Sequence, residues 1–270
     1  MQKKHNEKSN ALQLFHSAPV QQAVLKNALP AMAAMLMVLV YNLADTFFIG
    51  QTNDDLQVAA VSLATPVFLL FMALGTVFGV GGTSVISRAL GQRRPHYAKR
   101  VCAFCMWACV IVGVVMSTLM LIFMTPLLRL IGASPDTWDL TKIYLVIVTC
   151  SGPFVLISNC FSNILRAEGE ANRAMLGPVL GNLLNVVLDP ILILGLGWGI
   201  TGAAIATVIG MLFSAGYFIV YFLHGKSSLS ISPRLATLRQ GVCSSVLAIG
   251  IPAALGSLLM SISQIVVNAQ

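Results

Sequence analysis

The chain has 270 residues, of which 57% are hydrophobic and 9% charged, with a mean hydropathy of +0.86. A soluble domain carries about 25% charged residues, so this composition excludes one; at about 20 residues per crossing it supplies roughly seven transmembrane helices and little else. The net charge of +7 does not point to nucleic acid, because the basic residues are parcelled between apolar runs instead of gathered on one wet surface.

Residues 1–27 form a polar N-terminal segment, expected to be cytoplasmic, and the apolar run after it is too long for a signal-peptide core and has no cleavage site. Runs of crossing length follow at 28–49, 58–86, 101–124, 143–165, 174–194, 200–223 and 242–267. They are continuously apolar, unlike the alternating strands of a membrane β-barrel. The expected fold is therefore an all-α membrane protein: a six-helix lobe over 28–223, a linker over 224–241 and most of a seventh helix over 242–270. Counting basic residues by connection puts fourteen of sixteen on one side, with Arg129 and Lys142 on the other. The positive-inside rule then predicts a multi-pass protein of the plasma (inner) membrane with a cytoplasmic N-terminus.

The first span contains Asn42 and Asp45. The second is crowded with Gly75, Gly79, Gly81 and Gly82, and the third holds Cys102, Cys105 and Cys109 on one face. With Cys150, Cys160 and Cys243 these read as small core residues, since no further ligands complete a zinc site. The fourth span carries Asn159 and Asn163, and the sixth Thr207, Met211 and Ser214. In the fifth, Asn182, Asn185 and Asp189 are spaced i, i+3, i+7 and project from one side. Pro190 leaves the Val186 carbonyl without its helical partner, which predicts a hinge beside the acid. The Gly197-x-Gly199-x-x-Gly202 spacing matches a dinucleotide loop, but it joins two membrane spans and reads as a tight turn.

Of nine acidic residues, Asp45 and Asp189 alone fall within crossing segments. A carboxylate in hydrocarbon costs roughly 3 kcal/mol or more, so both should face the protein interior or a water-filled cavity. Together with Asn and Thr oxygens they could hold a proton or a hard monovalent cation. Asn42, Asn159, Asn163, Asn182 and Met211 are candidate lining residues of the same cavity, although amides on membrane helices also simply join helices. Two intramembrane aspartates could also form a protease dyad, but neither sits in a Gly-x-Gly-Asp context; no enzyme activity and no cofactor is expected. The seventh span echoes the first, aligning Pro252 with Pro30 and Gln264 with Asn42, as at the start of a second transporter repeat.

Leu43-Ala44-Asp45-Thr46-Phe47-Phe48-Ile49-Gly50, Ser87-Arg88-Ala89-Leu90-Gly91, Asn182-Leu183-Leu184-Asn185-Val186-Val187-Leu188-Asp189-Pro190 and Gly199-Ile200-Thr201-Gly202-Ala203-Ala204-Ile205-Ala206-Thr207 together resemble the multidrug and toxic compound extrusion (MATE) family. The resemblance covers the chain from about residue 20. It implies twelve helices in two lobes, of which this chain would hold the N-lobe and the start of the missing C-terminal lobe. It further implies export of amphipathic drugs or small organic cations in exchange for H+ or Na+. Asp45, Asn185, Asp189 and Thr207 match the N-lobe cation or proton site of the branch that includes the DNA-damage-inducible proteins. A lipid-linked saccharide flippase of the same superfamily is the alternative, and no span has the interior Lys or Arg expected of it. A membrane fragment that transports nothing unaided is the other.

Overall fold

The computed structural model describes residues 20–52, 54–224, 227–236 and 241–268. Among these there are nine α-helices and no strand: α1 (Val20–Gly50), α2 (Asp55–Gly91), α3 (Pro95–Ile122), α4 (Met124–Leu130), α5 (Trp138–Cys150), α6 (Gly152–Ala167), α7 (Ala171–Asp189), α8 (Gly199–Leu223) and α9 (Val242–Asn268). Six crossing segments are unbroken by length and hydropathy: Ala28–Gly50, Asp55–Gly91, Pro95–Ile122, Ala171–Gly195, Gly199–Leu223 and Val242–Leu259.

The fourth span departs from the single helix expected over 143–165. It is two helices, α5 and α6, bent by 52° at Ser151. Apolarity is unchanged across the break, so hydropathy alone does not reveal it; Pro153 does, because it cannot donate to the Thr149 carbonyl. Ser117 Oγ of α3 donates to that carbonyl at 2.7 Å, and the Ser151 hydroxyl donates to the Val148 carbonyl at 2.7 Å. The bend thus keeps its polar backbone paired inside a membrane protein.

Helix α2 is the hub, packing against α3, α5, α6 and α9. Its glycines permit this. A Cβ on Gly75 would lie 3.2 Å from the Leu156 Cα, and one on Gly79 3.1 Å from the Cys160 Cα, so α6 lies almost backbone to backbone along a G-x-x-x-G face. Gly82 makes room for Cys105 of α3, whose thiol lies 3.6 Å from the Phe78 carbonyl oxygen. Cys102, Cys105, Cys109 and Cys160 are fully buried free thiols in this packing, whereas Cys150 is exposed. Helix α9 is also seated closely: Gly81 faces the Val246 carbonyl, and Gly250 faces the Val77 carbonyl.

On the side of the α6–α7 connection the linker is anchored to the lobe. The Glu168 carboxylate accepts from Ser227 Oγ at 2.8 and 2.7 Å, from Ser228 N at 2.9 Å and from Ser228 Oγ at 2.5 Å. The Trp107 indole N–H donates to the Ile231 carbonyl at 3.3 Å. At the opposite end Gly197 and Gly199 adopt φ of 67° and 50°, making the tight turn expected there. Gln57 closes it by accepting from Ile200 N at 2.8 Å.

Candidate functional site

Along α1 the less exposed positions include Ala31, Ala34, Met37, Tyr41, Asp45 and Ile49, the stripe that a helix lays against one neighbour. That neighbour is chiefly α7. Leu36, Leu39, Leu43 and Phe47 lie on the exposed surface. Asp45 is on the inward stripe at 7% exposure; Asn42, one position off it, is exposed.

Helices α7 and α8 meet at Gly181 and Gly210, where a Cβ on either would lie 2.6 or 2.7 Å from the other's carbonyl oxygen. One turn from this crossing, Asn185 and Thr207 come together, with the end of the Asn185 amide 3.4 Å from Thr207 Oγ1. In the amide orientation that satisfies both ends, Asn185 Nδ2 donates to Asp189 Oδ2 at 3.0 Å and Oδ1 accepts from Thr207 N at 3.0 Å. Asp189 is fully buried, Asn185 is 2% and Thr207 3% exposed. Asp45 approaches from α1, and Asp189 lies within the field of its carboxylate.

Each acid has one buried oxygen, Oδ1, without a hydrogen-bond partner. Buried carboxylate oxygens are otherwise nearly always paired, so this pair is incomplete as it stands. The available donors are all oxygens, a chemistry that suits a proton or a hard monovalent cation and not a soft metal. Among the described residues no group of three or more His, Cys, Asp or Glu is arranged to hold a metal ion.

Two further residues belong to this group. The Tyr41 and Tyr144 side chains lie beside Thr207 and within the field of both carboxylates. The i, i+4 relation of Tyr41 to Asp45 is a signal in the sequence, while Tyr144 comes from α5 and has no local one.

The other polar stripes have different partners. Asn182 is buried on α7, one turn before Asn185. Asn159 Nδ2 donates to the Met72 carbonyl of α2 at 3.3 Å, and Asn163 Nδ2 donates to Asn159 O at 2.9 Å and Oδ1 at 3.2 Å. Asn159 thus joins α6 to α2, while Asn163 bonds back to Asn159 within α6. Ser214 pairs with Ser158 at 2.6 Å, and Met211 packs partly buried against the core.

Pro190 does not end its helix. The chain continues through Pro190–Gly195 as a π-helix, with Leu196 N donating five residues back to Ile191 O at 2.9 Å. The backbone change expected beside Asp189 is therefore a widened turn.

Comparison with known proteins agrees with this architecture. The sequence profile of the MatE family matches residues 30–191. The multidrug export protein MepA of Staphylococcus aureus (strain MSSA476) is 34% identical over 261 residues, covering 97% of this chain and 58% of that protein. MepA of Staphylococcus haemolyticus (strain JCSC1435) is 32% identical over 264 residues, with the same coverage. Among solved structures, a MATE in the bent conformation superposes with TM-score 0.87 at 33% identity, covering 96% of this chain and 58% of that one. A MOP superfamily transporter from Pyrococcus furiosus Vc1 gives TM-score 0.85 at 33% identity over 92% of this chain and 55% of that one. The chain thus spans a little more than half the length of the relatives it matches, and it belongs to the MATE family of transporters.

Proposed function

We propose that this chain forms the N-lobe, over 28–223, of a secondary active antiporter that exports amphipathic or cationic organic compounds in exchange for H+ or Na+. Residues 224–241 link it to a second lobe that begins with 242–270. The observation that carries this reading is the incomplete pair Asp45 and Asp189, each with a buried unpartnered oxygen. Two nearby carboxylates disfavour joint ionisation, and a proton or Na+ shared among Asp45, Asp189, Asn185 and Thr207 relieves that repulsion. Binding there favours one packing of α1 against α7 and α8, which is how ion occupancy shifts a conformational equilibrium. Pro190 and the π-helical turn supply the adjustable backbone at this junction, and of the candidate lining residues Asn182, buried one turn before Asn185, is the one placed beside this site. The N-terminus and the α2–α3 connection are cytoplasmic in this arrangement.

The test is efflux of a cationic dye from proteoliposomes of the full-length, two-lobe protein under an imposed pH or Na+ gradient. Asp189→Asn keeps size and hydrogen bonding but removes the charge, and is expected to abolish gradient-driven efflux while leaving the fold intact. Wild-type efflux in both Asp189→Asn and Asp45→Asn would place coupling elsewhere. Orientation is checked separately in a cysteine-free background, where a cysteine replacing Arg94 should resist an impermeant thiol reagent applied outside intact cells.

A further inference from the structure

The two acids lie close to one end of the lobe, the end that carries the α1–α2, α4–α5 and α7–α8 connections. At about 1.5 Å per residue, Asp45 is about 8 Å from the last residue of α1 and Tyr144 about 9 Å from the first of α5, whereas Thr207 is about 24 Å from the far end of α8. At this near end Asp54, Asp55, Asp136 and Asp139 outnumber Arg129 and Lys142, so its field favours cations. In the proposed orientation it faces away from the cytoplasm, and an ion driven inward arrives there first.

Most approaches from that end are closed by apolar side chains. Ile49, one turn beyond Asp45 on α1, is buried, as are Leu192 and Ile193 beyond Asp189 and Ile200, Ala203 and Ala204 ahead of Thr207. Helix α5 differs. Thr137, Thr141 and Tyr144 follow at i, i+4 and i+7 and so share a face; all three are buried, and Tyr144 lies beside Thr207 and within the field of both carboxylates. A file of hydroxyls thus runs from the α4–α5 connection, where Thr137 Oγ1 accepts from Ser134 N at 3.1 Å, to the acids.

The middle member of the file is fully buried and its hydroxyl has no hydrogen-bond partner. Threonines in these helices otherwise donate to the carbonyl four residues back, as Thr46, Thr65, Thr76 and Thr118 do. Thr141 does not, and a buried hydroxyl kept free in this way is costly. The other buried hydroxyls without a partner, those of Thr83 and Thr149, lie farther from this end than Tyr144 does. Polar groups buried in membrane spans mark ion paths, because each offers a passing charge an oxygen in place of water. A hydroxyl can accept a proton on its oxygen while its own proton moves on, and the same lone pairs can hold Na+ in transit. We infer that Thr141 is the entry step of the coupling ion, passing it from the Thr137 end of α5 to Tyr144 and the two acids, an inference that rests on the coupling role proposed for Asp45 and Asp189.

The experiment reads two quantities from the full-length, two-lobe protein: the initial rate of dye efflux from proteoliposomes under a saturating pH or Na+ gradient, and the equilibrium ion affinity, taken from the ion dependence of the melting temperature. Thr141→Val keeps the shape and removes the hydroxyl. Efflux should slow about tenfold with affinity changed by less than about twofold, since an entry step alters the on-rate and off-rate alike. Thr141→Ser restores a hydroxyl and should recover the wild-type rate. The melting temperature of Thr141→Val should not fall, because no hydrogen bond is lost, which separates slow entry from a folding defect; Thr141→Ala repeats the test with a smaller side chain. Asp189→Asn is the control for the underlying reading: wild-type efflux in that variant removes the coupling role and the entry path together. Loss of efflux in Asp189→Asn with a wild-type rate in both Thr141→Val and Thr141→Ala overturns the entry path alone. So does a Thr141→Val variant that loses affinity in step with rate, or a Thr141→Ser variant as slow as Thr141→Val.

Discussion

Ser117 of α3 hydrogen-bonds the one α5 carbonyl, that of Thr149, which Pro153 deprives of a helical donor. The break in the fourth span is therefore stabilised from a neighbouring helix, and Gly113 lets the two approach, since a Cβ there would lie 2.6 Å from the Pro153 Cα. Ser117→Ala leaves a buried acceptor unpaired and should destabilise the lobe by about 1 kcal/mol. Thermal unfolding in detergent measures this, and an unchanged midpoint would mean the carbonyl finds another donor.

Tyr41→Phe retains the packing of α1 on α7 but removes a hydroxyl from beside Thr207 and the two acids. If that hydroxyl helps to hold the coupling ion, apparent ion affinity should fall about fivefold with little change in maximal efflux. The ion dependence of dye efflux decides it; an equal loss in both quantities would point to a folding defect.

Gly250→Ala places a methyl group against the Val77 carbonyl. Helix α9 must then move off α2, at a cost of about 1 to 3 kcal/mol. Faster amide exchange around Val246 with unchanged exchange around Asn185 is expected, and protection equal to wild type at both places would refute the close crossing.

Glu168→Ala removes the acceptor that holds Ser227 and Ser228. Hydrogen bonds to a charged group are worth about 1.5 to 3 kcal/mol, so exchange of the amides of Ser228 and Leu229 should accelerate by about tenfold or more. No acceleration would show that Trp107 and Leu229 alone seat the linker.

The seven apolar stretches and the two intramembrane acids were legible because hydrophobicity and charge are one-dimensional properties of the chain. The grouping of Asn185, Asp189 and Thr207 was legible in part, since spacing on α7 fixes a face, and the glycines that bring α8 against it are visible too. What periodicity could not separate was the use of chemically identical amides. Asn185 bonds an acid, whereas Asn159 fastens α6 to α2 with Asn163 bonded behind it, and the difference lies in what each amide meets. Asn42 and Tyr41 are adjacent, yet a rotation of about 100° per residue puts the tyrosine toward α7 and the asparagine outside. Tyr144 enters the group only through the packing of α5 on α8, which no local pattern encodes.

The π-helical turn after Asp189 holds one residue more than an α-turn would. Removing a single residue within Pro190–Gly195 lets the backbone relax to ordinary α geometry, absorbing the deletion before it reaches the Gly197 turn. The same deletion one turn earlier, between Asn185 and Asp189, would swing the aspartate about 100° around the axis and away from its amide. Tolerance to length change should therefore switch abruptly at Pro190, making this short segment a buffer that shields the acid from insertions and deletions arising on its far side.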